Sequence, residues 1–168
     1  LVQRTEDGRL VGDMTDGLGF LSALAKHGVT VGGKRFVLIG AGGAGSAIAH
    51  AVADNGAKRL AVIDIDTKRR EALLTSLRAH YPSVEIADEA GDPAEIDILA
   101  NATPMGMGSG DPLPFPLEGI RSDTMVADAV TKPPMTRFLE AAKAKGCTIQ
   151  QGNEMADAQQ PIFLERLG

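Results

Sequence analysis

The chain has few of the residues on which several protein classes depend. Its 168 residues include one cysteine and three histidines, and 22 acidic residues outnumber 17 basic ones. Because Cys147 is alone, an internal disulfide is excluded, and a reducing compartment such as the cytoplasm is favoured. The scattered histidines have no metal-binding spacing, so we expect no metal site. The formal charge of −5 argues against nucleic acid as a partner, since phosphate binding usually needs a basic face.

Long hydrophobic runs are also missing. No apolar stretch approaches the roughly 18 residues of a membrane-spanning helix, and no signal peptide is recognisable at the N-terminus. We therefore expect no membrane partner. The chain begins at Leu1 without an initiator methionine, and its first residues already resemble a strand. This start suggests a piece of a longer protein.

The most informative segment is a glycine-rich turn that follows a strongly apolar stretch at residues 35–39. The turn reads Gly40-Ala41-Gly42-Gly43-Ala44-Gly45 and fits the pattern G-x-G-x-x-G. In such a turn the first glycine allows the tight bend, the second lets the backbone approach a pyrophosphate, and the third lets helix and strand pack closely. The N-terminus of the next helix offers free N–H groups to phosphates. The segment predicts a nucleotide cofactor site, with a ligand-free strand–helix turn as the alternative.

Strand-like and helix-like segments alternate from residue 35 onward. Strands are predicted at 35–39, 59–63, 83–87, 96–101, 124–129 and 147–150, and helices at 44–55, 68–80, 136–145 and 156–167. Before them, residues 1–13 predict a hairpin with its turn at Glu6-Asp7-Gly8, and a helix over 17–27 is capped by Asp16. Buried strands that alternate with helices are typical of an α/β fold with a doubly wound, Rossmann-type parallel sheet in three layers.

An acidic residue ends the second buried strand. Asp64 follows Gly45 by nineteen residues, where a dinucleotide fold places a carboxylate on the adenine ribose. That carboxylate can accept both ribose hydroxyls of NAD and would repel the 2′-phosphate of NADP. Asp66 adds a second negative charge nearby. The basic run Lys68-Arg69-Arg70 could bind that 2′-phosphate, but it is interpreted as a solvated first helical turn. We therefore expect NAD to be preferred over NADP.

Two further segments carry chemistry. The segment Asn101-Ala102-Thr103-Pro104-Met105-Gly106-Met107 follows a buried strand and therefore lies on the ligand side of a parallel sheet. The segment from Gly12 to Phe20 contains Asp16, which could cap a helix and also face a substrate at a domain junction.

Taken together, these segments resemble the shikimate and quinate dehydrogenase family. That family reads G-x-N-T-D-G-x-G-F, G-A-G-G-A, N-A-T-P-x-G-M, V-x-D-x-V-Y-x-P-x-x-T and G-x-x-M-L-x-x-Q in this order. The counterparts here are Gly12 to Phe20, Gly40 to Ala44, Asn101 to Met107, Val126 to Thr136, and Gly152 to Gln159. The match covers nearly the whole chain and corresponds to the C-terminal, cofactor-binding portion, without the family's N-terminal substrate domain.

The resemblance implies roles for several residues. It implies reversible hydride transfer between a nicotinamide cofactor and a cyclic hydroxy acid such as shikimate or quinate. Asp16 matches the aspartate of a catalytic Lys–Asp pair whose lysine belongs to the missing domain, and Gln159 matches a glutamine that binds substrate hydroxyls. Gly152 and Met155 match positions near the nicotinamide, and the loop from Thr103 lies on the same side.

The chain also departs from the family pattern. Met14 stands where the family has asparagine, and Thr131 stands in the substrate-binding tyrosine position with a shorter reach. Ala156 replaces a leucine, and Asp66 occupies the place of a cofactor-loop arginine. Because unpaired polar groups in a pocket reduce affinity, these changes indicate a divergent member with altered substrate recognition.

The expected organisation has three parts. Residues 1–31 form a hairpin and helix at the junction with the missing domain, 32–152 form the NAD(P)-binding domain, and 153–168 form a helix that returns to the substrate site. The substrate and the missing domain are the expected partners, and the isolated piece is expected to be inactive. The alternatives are a non-catalytic nucleotide-binding or regulatory domain, an unrelated NAD(P) dehydrogenase, and an S-adenosylmethionine methyltransferase, which would not need the loop after Asn101.

Overall fold

The computed structural model describes residues 2–4, 7, 10–12 and 14–167, and the side chains of residues 7 and 14–161. The chain opens with an antiparallel hairpin of β1 (Val2–Arg4) and β2 (Leu10–Gly12), in which Val2 pairs with Gly12. The predicted hairpin is therefore confirmed, while Glu6 and Gly8 of its expected turn lie outside the described residues.

The remaining elements alternate from strand to helix as the sequence predicts. They are α1 (Asp16–Lys26), β3 (Arg35–Ile39), α2 (Gly43–Asp54), β4 (Arg59–Ile63), α3 (Thr67–His80), β5 (Glu85–Ala87), a short 3-10 helix (Pro93–Glu95), β6 (Ile98–Asn101), β7 (Met125–Asp128), α4 (Arg137–Ala144), β8 (Thr148–Gln150) and α5 (Gly152–Leu167). Six strands form one parallel sheet in the order β5-β4-β3-β6-β7-β8. The predicted α/β Rossmann-type fold is confirmed.

Both faces of the sheet are buried, because successive side chains of a strand point to opposite faces. In β3, Phe36 and Leu38 pack into the core cluster that contains side chains of α1, α2, α3 and α5. Val37 and Ile39 pack into the other cluster, with Phe138 and Leu139 of α4. Within the part of the chain that the structure describes, no helix is both long and apolar enough to cross a bilayer.

Two helix starts differ from expectation. The N-cap of α1 is Thr15, which makes no side-chain capping bond, and Asp16 is the first helical residue, so the prediction that Asp16 caps this helix is wrong. Helix α5 begins at Gly152 rather than near residue 156. Its start is stabilised by Glu154, whose carboxylate accepts a hydrogen bond from the Gln151 N–H at 3.0 Å. Glycine is a poor helix former, so propensity alone misses this first turn.

The strands align their carboxyl ends around one crevice. Ile39 of β3 pairs with Ile63 of β4 on one side and with Asn101 of β6 on the other, and Asn101 pairs with Asp128 of β7. The strand order reverses at β3, since β4 and β6 flank it. In open α/β sheets, ligands bind outside the carboxyl ends of the strands at such a reversal. The fold therefore brings the ends of four strands to one candidate ligand site.

Candidate functional site

The glycine turn has the geometry that each of its glycines predicts. Gly40 has a φ of +106°, a conformation that L side chains rarely adopt, and an added Cβ would lie 2.8 Å from the carbonyl oxygen of Ala102. An added Cβ on Gly45 would collide with the carbonyl group of Gly40. At Gly42, the N-cap of α2, an added Cβ would meet open space. The turn is therefore tight beneath the backbone and open where a ligand would approach.

A cavity of about 460 Å³ lies beside this turn. Among the predicted cofactor residues, its lining contains Gly40, Gly42, Asp64, Ala102, Thr103, Pro104 and Met105. The lining also contains Arg69, which the sequence analysis interpreted as solvated, and four residues that it did not single out: Ile39, Ile63, Ile65 and Pro114. The apolar members could have been found from their position at the strand ends. The cavity has the mixed apolar and polar walls that small-molecule sites usually have.

Asp64 ties the end of β4 to the glycine turn. Its Oδ2 accepts a hydrogen bond from the Ala41 N–H at 2.7 Å, and its Oδ1 accepts one from the Asp66 N–H at 2.8 Å. The Asp64 side chain is only 8% exposed, and its Oδ2 lies 4.0 Å from a guanidinium nitrogen of Arg69. Both carboxylate oxygens are thus already engaged within the turn, and a basic side chain stands beside them.

Asp66 has a capping role in the structure. Its Oδ1 accepts a hydrogen bond from the Arg69 N–H at 3.1 Å, so it is the N-cap of α3. Its Oδ2 also lies 3.4 Å from the Arg69 guanidinium. Asp66 is not among the residues that line the 460 Å³ cavity, whereas Arg69, which sequence reasoning placed in solvent, does line it.

Asn101 shapes the loop that forms the far wall of the cavity. Its side-chain oxygen accepts hydrogen bonds from the Thr103 N–H at 3.0 Å and from the Thr103 hydroxyl at 2.7 Å. Its Nδ2 donates to the carbonyl oxygen of Met105 at 3.0 Å. Asn101 is fully buried and does not line the cavity, so it supports from behind the cavity wall that Thr103, Pro104 and Met105 form.

A buried aspartate lies next to Asn101. The Oδ1 of Asp128 accepts hydrogen bonds from Asn101 Nδ2 and the Val130 N–H, both at 3.0 Å, and its Oδ2 accepts one from the Thr136 hydroxyl at 2.7 Å. Burial raises the pKa of Asp128, and the three donors act against that rise. Sequence reasoning missed this residue, although it belongs to the segment from Val126 to Thr136 that matches a family motif.

The predicted substrate residues form a second group. Gln159 of α5 donates from Nε2 to Asp16 Oδ1 at 3.4 Å, and the buried Thr15 donates from its hydroxyl to Gln159 Oε1 at 3.5 Å. Gly19 permits this contact, because an added Cβ would lie 2.8 Å from the Met155 carbonyl oxygen and would collide with Gln159. The structure thus brings Asp16 and Gln159 together across 143 positions of sequence, and Thr15 joins them.

Gly152, Met155 and Thr131, which were predicted near the nicotinamide or the substrate, lie outside the lining of the cavity. Gly152 packs against the backbone that follows β7, with an added Cβ 2.6 Å from the Val130 carbonyl carbon. Met155 is buried in the core beside α1, and Thr131 is exposed. Within the described residues, none of these three lines the 460 Å³ cavity, nor do Asp16 and Gln159.

These features define an α/β domain of the Rossmann type with a cavity at the reversal of its sheet, and the comparisons with known proteins specify it further. The chain is 39% identical over 158 residues to the shikimate dehydrogenase (NADP(+)) of Pseudarthrobacter chlorophenolicus, covering 91% of this chain and 54% of the relative. A ligand-free 5-ketofructose reductase of Gluconobacter sp. strain CHM43 superposes with a TM-score of 0.86 at 36% identity, covering 98% and 61% of the two chains. No family model matches the chain.

A third relative is a shikimate 5-dehydrogenase from Listeria monocytogenes, solved in complex with shikimate and NAD. It has a TM-score of 0.84 and 30% identity, and the match covers 94% of this chain and 58% of that one. The predicted resemblance to the shikimate and quinate dehydrogenase family is therefore confirmed, and the chain matches the C-terminal portion of its members. It spans about half the length of the curated relatives it matches.

The comparisons correct one expectation. The curated relatives that match this chain are named as NADP(+) enzymes, so the expectation of NAD over NADP is wrong. The physical reason lies in how two residues were weighed. Asp64 was given a free carboxylate, but both of its oxygens bind backbone N–H groups, and Arg69 was left in solvent although it lines the cavity.

Proposed function

We propose that the chain is the NADP(H)-binding portion of an oxidoreductase of the shikimate and quinate dehydrogenase type. The observation that carries this proposal is the cavity at the sheet reversal, bounded by the glycine turn, by Asp64 with Arg69, and by the loop from Thr103 to Met105. The names of the relatives support the substrate class, a cyclic hydroxy acid such as shikimate or quinate.

The residues present fit a dinucleotide. Gly42 leaves open space where a pyrophosphate would approach, and the first-turn N–H groups of α2 (Gly43, Ala44 and Gly45) offer donors to it. Asp64 follows β4, where dinucleotide folds hold the adenosine ribose, and Arg69 in the first turn of α3 lines the same cavity. Bound NADP(H) would supply or accept the hydride.

The substrate side would be formed by Asp16 and Gln159. Oxidation of an alcohol releases a proton together with the hydride, and the proton needs its own acceptor. Asp16 begins α1, where the helix N-terminus favours a negative charge. We propose that Asp16 orients a proton-handling lysine from a domain outside this chain, and that Gln159 binds a substrate hydroxyl. Gly152 and Met155 would lie toward the nicotinamide, and Thr131 toward the substrate.

The proposed function agrees with the three-part organisation expected from the sequence. We propose that residues 1–31 form the junction, 32–152 the cofactor domain, and 153–168 the returning helix. The packing of α1 against α5, with Gly19 facing Gln159, supports this division. The unpaired, buried thiol of Cys147 supports a reducing compartment such as the cytoplasm.

A second substrate class follows from a specific observation. The 5-ketofructose reductase has a TM-score of 0.86 to this chain, and Met14 and Thr131 replace the polar residues expected for binding a cyclic acid. A keto sugar is therefore the second candidate. A panel of shikimate, quinate and 5-ketofructose separates the two, because kcat/KM measures recognition in the transition state.

The first test uses this chain alone and then with a substrate domain. We expect calorimetric titration to show NADPH binding, and we expect almost no turnover of shikimate or quinate, because the partner of Asp16 is outside the chain. Fusing the N-terminal half of the Pseudarthrobacter chlorophenolicus relative before Leu1 is expected to restore turnover, and Asp16→Asn is expected to abolish it. Robust turnover by the chain alone would disprove the division of labour, and failure to bind NADPH or NADH would disprove the proposed function.

Arg69 gives a second test, of cofactor choice. We expect Arg69→Ala to weaken NADPH binding by about ten- to a hundredfold, since a charge-assisted bond to the 2′-phosphate is worth about 1.5–3 kcal/mol. NADH affinity should not change, because NADH lacks that phosphate. Arg78→Ala, an exposed arginine on the same helix, is the matched control. An equal loss for both cofactors would show that Arg69 does not read the phosphate.

A further inference from the structure

A buried carboxylate without a basic partner stands behind the cofactor cavity. Asp128 is fully buried at the end of β7, and among the described residues no lysine, arginine or histidine forms an ion pair with it. Burying a charge is costly unless it is paired or well hydrogen-bonded. Three donors surround Asp128 and compensate for its burial, so this one carboxylate fixes the positions of three separate groups.

Through Asn101, Asp128 is hydrogen-bonded to the loop of the cavity. Asp128 Oδ1 accepts a hydrogen bond from Asn101 Nδ2 at 3.0 Å, and the same Nδ2 donates to the Met105 carbonyl oxygen at 3.0 Å. The oxygen of the Asn101 amide accepts two hydrogen bonds from Thr103, one from its N–H and one from its hydroxyl. Because Asp128 accepts only at Oδ1 from Asn101, it fixes which end of that amide faces Met105 and which faces Thr103.

Asp128 is also hydrogen-bonded to the segment before α5. Asp128 also accepts from the Val130 N–H at 3.0 Å and from the Thr136 hydroxyl at 2.7 Å. The carbonyl group of Val130 abuts Gly152, the first residue of α5. Gly106, with a φ of +103°, closes the loop against Thr136, since an added Cβ would lie 3.4 Å from that side chain. One carboxylate thus joins the cavity loop to the start of α5.

We propose that Asp128 is a positioning residue that sets the cavity loop from Thr103 to Met105, and the start of α5 at Gly152, in the register needed for the nicotinamide half of the cofactor. This inference rests on the proposed function. In a sheet that reverses at β3, the adenosine half lies over β4 and the nicotinamide half lies toward β6 and β7. The loop after β6 and the segment after β7 are the two pieces that Asp128 joins.

The test compares a whole cofactor with its adenosine half. Asp128→Asn keeps the volume of the side chain but replaces one acceptor oxygen by a donor, so it cannot satisfy all three donors around it. We expect NADPH affinity to fall about tenfold, consistent with loss of a charged hydrogen bond, and the affinity for 2′,5′-ADP to stay within about twofold. Asp123→Asn is the matched control, because the Asp123 side chain is 73% exposed.

A second readout follows the loop itself. In two-dimensional amide NMR of the ligand-free chain, Asp128→Asn should shift the Thr103 and Met105 resonances, and Asp123→Asn should not. If Asp128→Asn does not fold, Thr136→Val removes one of the three donors together with the capping bond that the Thr136 hydroxyl accepts from the Leu139 N–H, and Thr136→Ser keeps both as its control. We then expect Thr136→Val to weaken NADPH selectively and Thr136→Ser to behave as wild type.

Each outcome decides the matter. Selective loss of NADPH affinity together with shifted loop resonances supports the positioning role. Equal loss of NADPH and 2′,5′-ADP affinity, or no loss of either, overturns it. A wild-type chain that binds neither ligand disproves the proposed function instead, while the loop resonances still report whether Asp128 holds the loop.

Discussion

Replacing Gly45 by alanine is expected both to disrupt the glycine turn and to weaken NADPH binding. An added Cβ at Gly45 would collide with the carbonyl oxygen of Gly40 and would lie 2.9 Å from its carbonyl carbon. Neither atom can move alone, because both belong to the backbone of the turn. Overpacking of this kind costs about 1–3 kcal/mol or more. Urea unfolding should show that loss of stability, and calorimetric titration should show NADPH affinity reduced by about a hundredfold or more.

Two other glycines provide the contrast. Gly42→Ala should leave the free energy of unfolding within about 0.5 kcal/mol of wild type, since an added Cβ there meets open space. It should nevertheless weaken NADPH binding strongly, because the methyl group would occupy the approach of the pyrophosphate. Gly32→Ala, whose added Cβ would lie 3.6 Å from the Asn55 carbonyl oxygen, should change neither quantity. Normal NADPH binding by Gly42→Ala would contradict the placement of the pyrophosphate.

The second large effect is expected at Gly17. An added Cβ there would collide with the carbonyl oxygen of Ala47 and would lie 2.7 Å from the Ala51 Cβ, so α1 and α2 would have to separate. We expect Gly17→Ala to lower the free energy of unfolding by about 3 kcal/mol. In the fused enzyme it should also lower kcat, because Asp16 would move with α1.

The neighbouring residue supplies the control for this effect. Leu18 is 41% exposed on the same helix, so Leu18→Ala should change the free energy of unfolding by about 0.5 kcal/mol or less. Both variants are compared by urea unfolding at one pH. If Gly17→Ala is as stable as Leu18→Ala, the close approach of α1 and α2 is not needed for the fold.

Much of the fold follows from local sequence. The strands Arg35–Ile39 and Arg59–Ile63 begin and end where their apolar runs predict, because parallel strands are buried on both faces. Gly56 ends α2 with a φ of +75°, as its position after the helix predicts. The glycine turn and the loop after Asn101 were predictable for a similar reason, since both follow strands whose ends meet at one edge.

What sequence reasoning missed depends on contacts between distant residues. Arg69 resembles an ordinary exposed helix residue until the fold places it beside Asp64. The capping bond from the Arg69 N–H to Asp66 depends on where α3 begins. Asn101 and Asp128 lie 27 positions apart, and only strand register joins them. The start of α5 depends on one bond from Gln151 to Glu154, which helix propensity does not describe.

The anchoring of Asp64 has a consequence for changing cofactor choice by design. Because this carboxylate accepts a hydrogen bond from the Ala41 N–H, an exchange at position 64 that removes the acceptor also removes one of the bonds between the glycine turn and the end of β4. A change of cofactor preference should therefore leave Asp64 unchanged and alter only the cavity residues beside it. Ile65 and Arg69 are suited to such changes, because their exposed side chains line the same cavity and do not bond to the glycine turn. A library confined to those two positions would vary the part of the cavity next to Asp64, while the glycine turn keeps its shape.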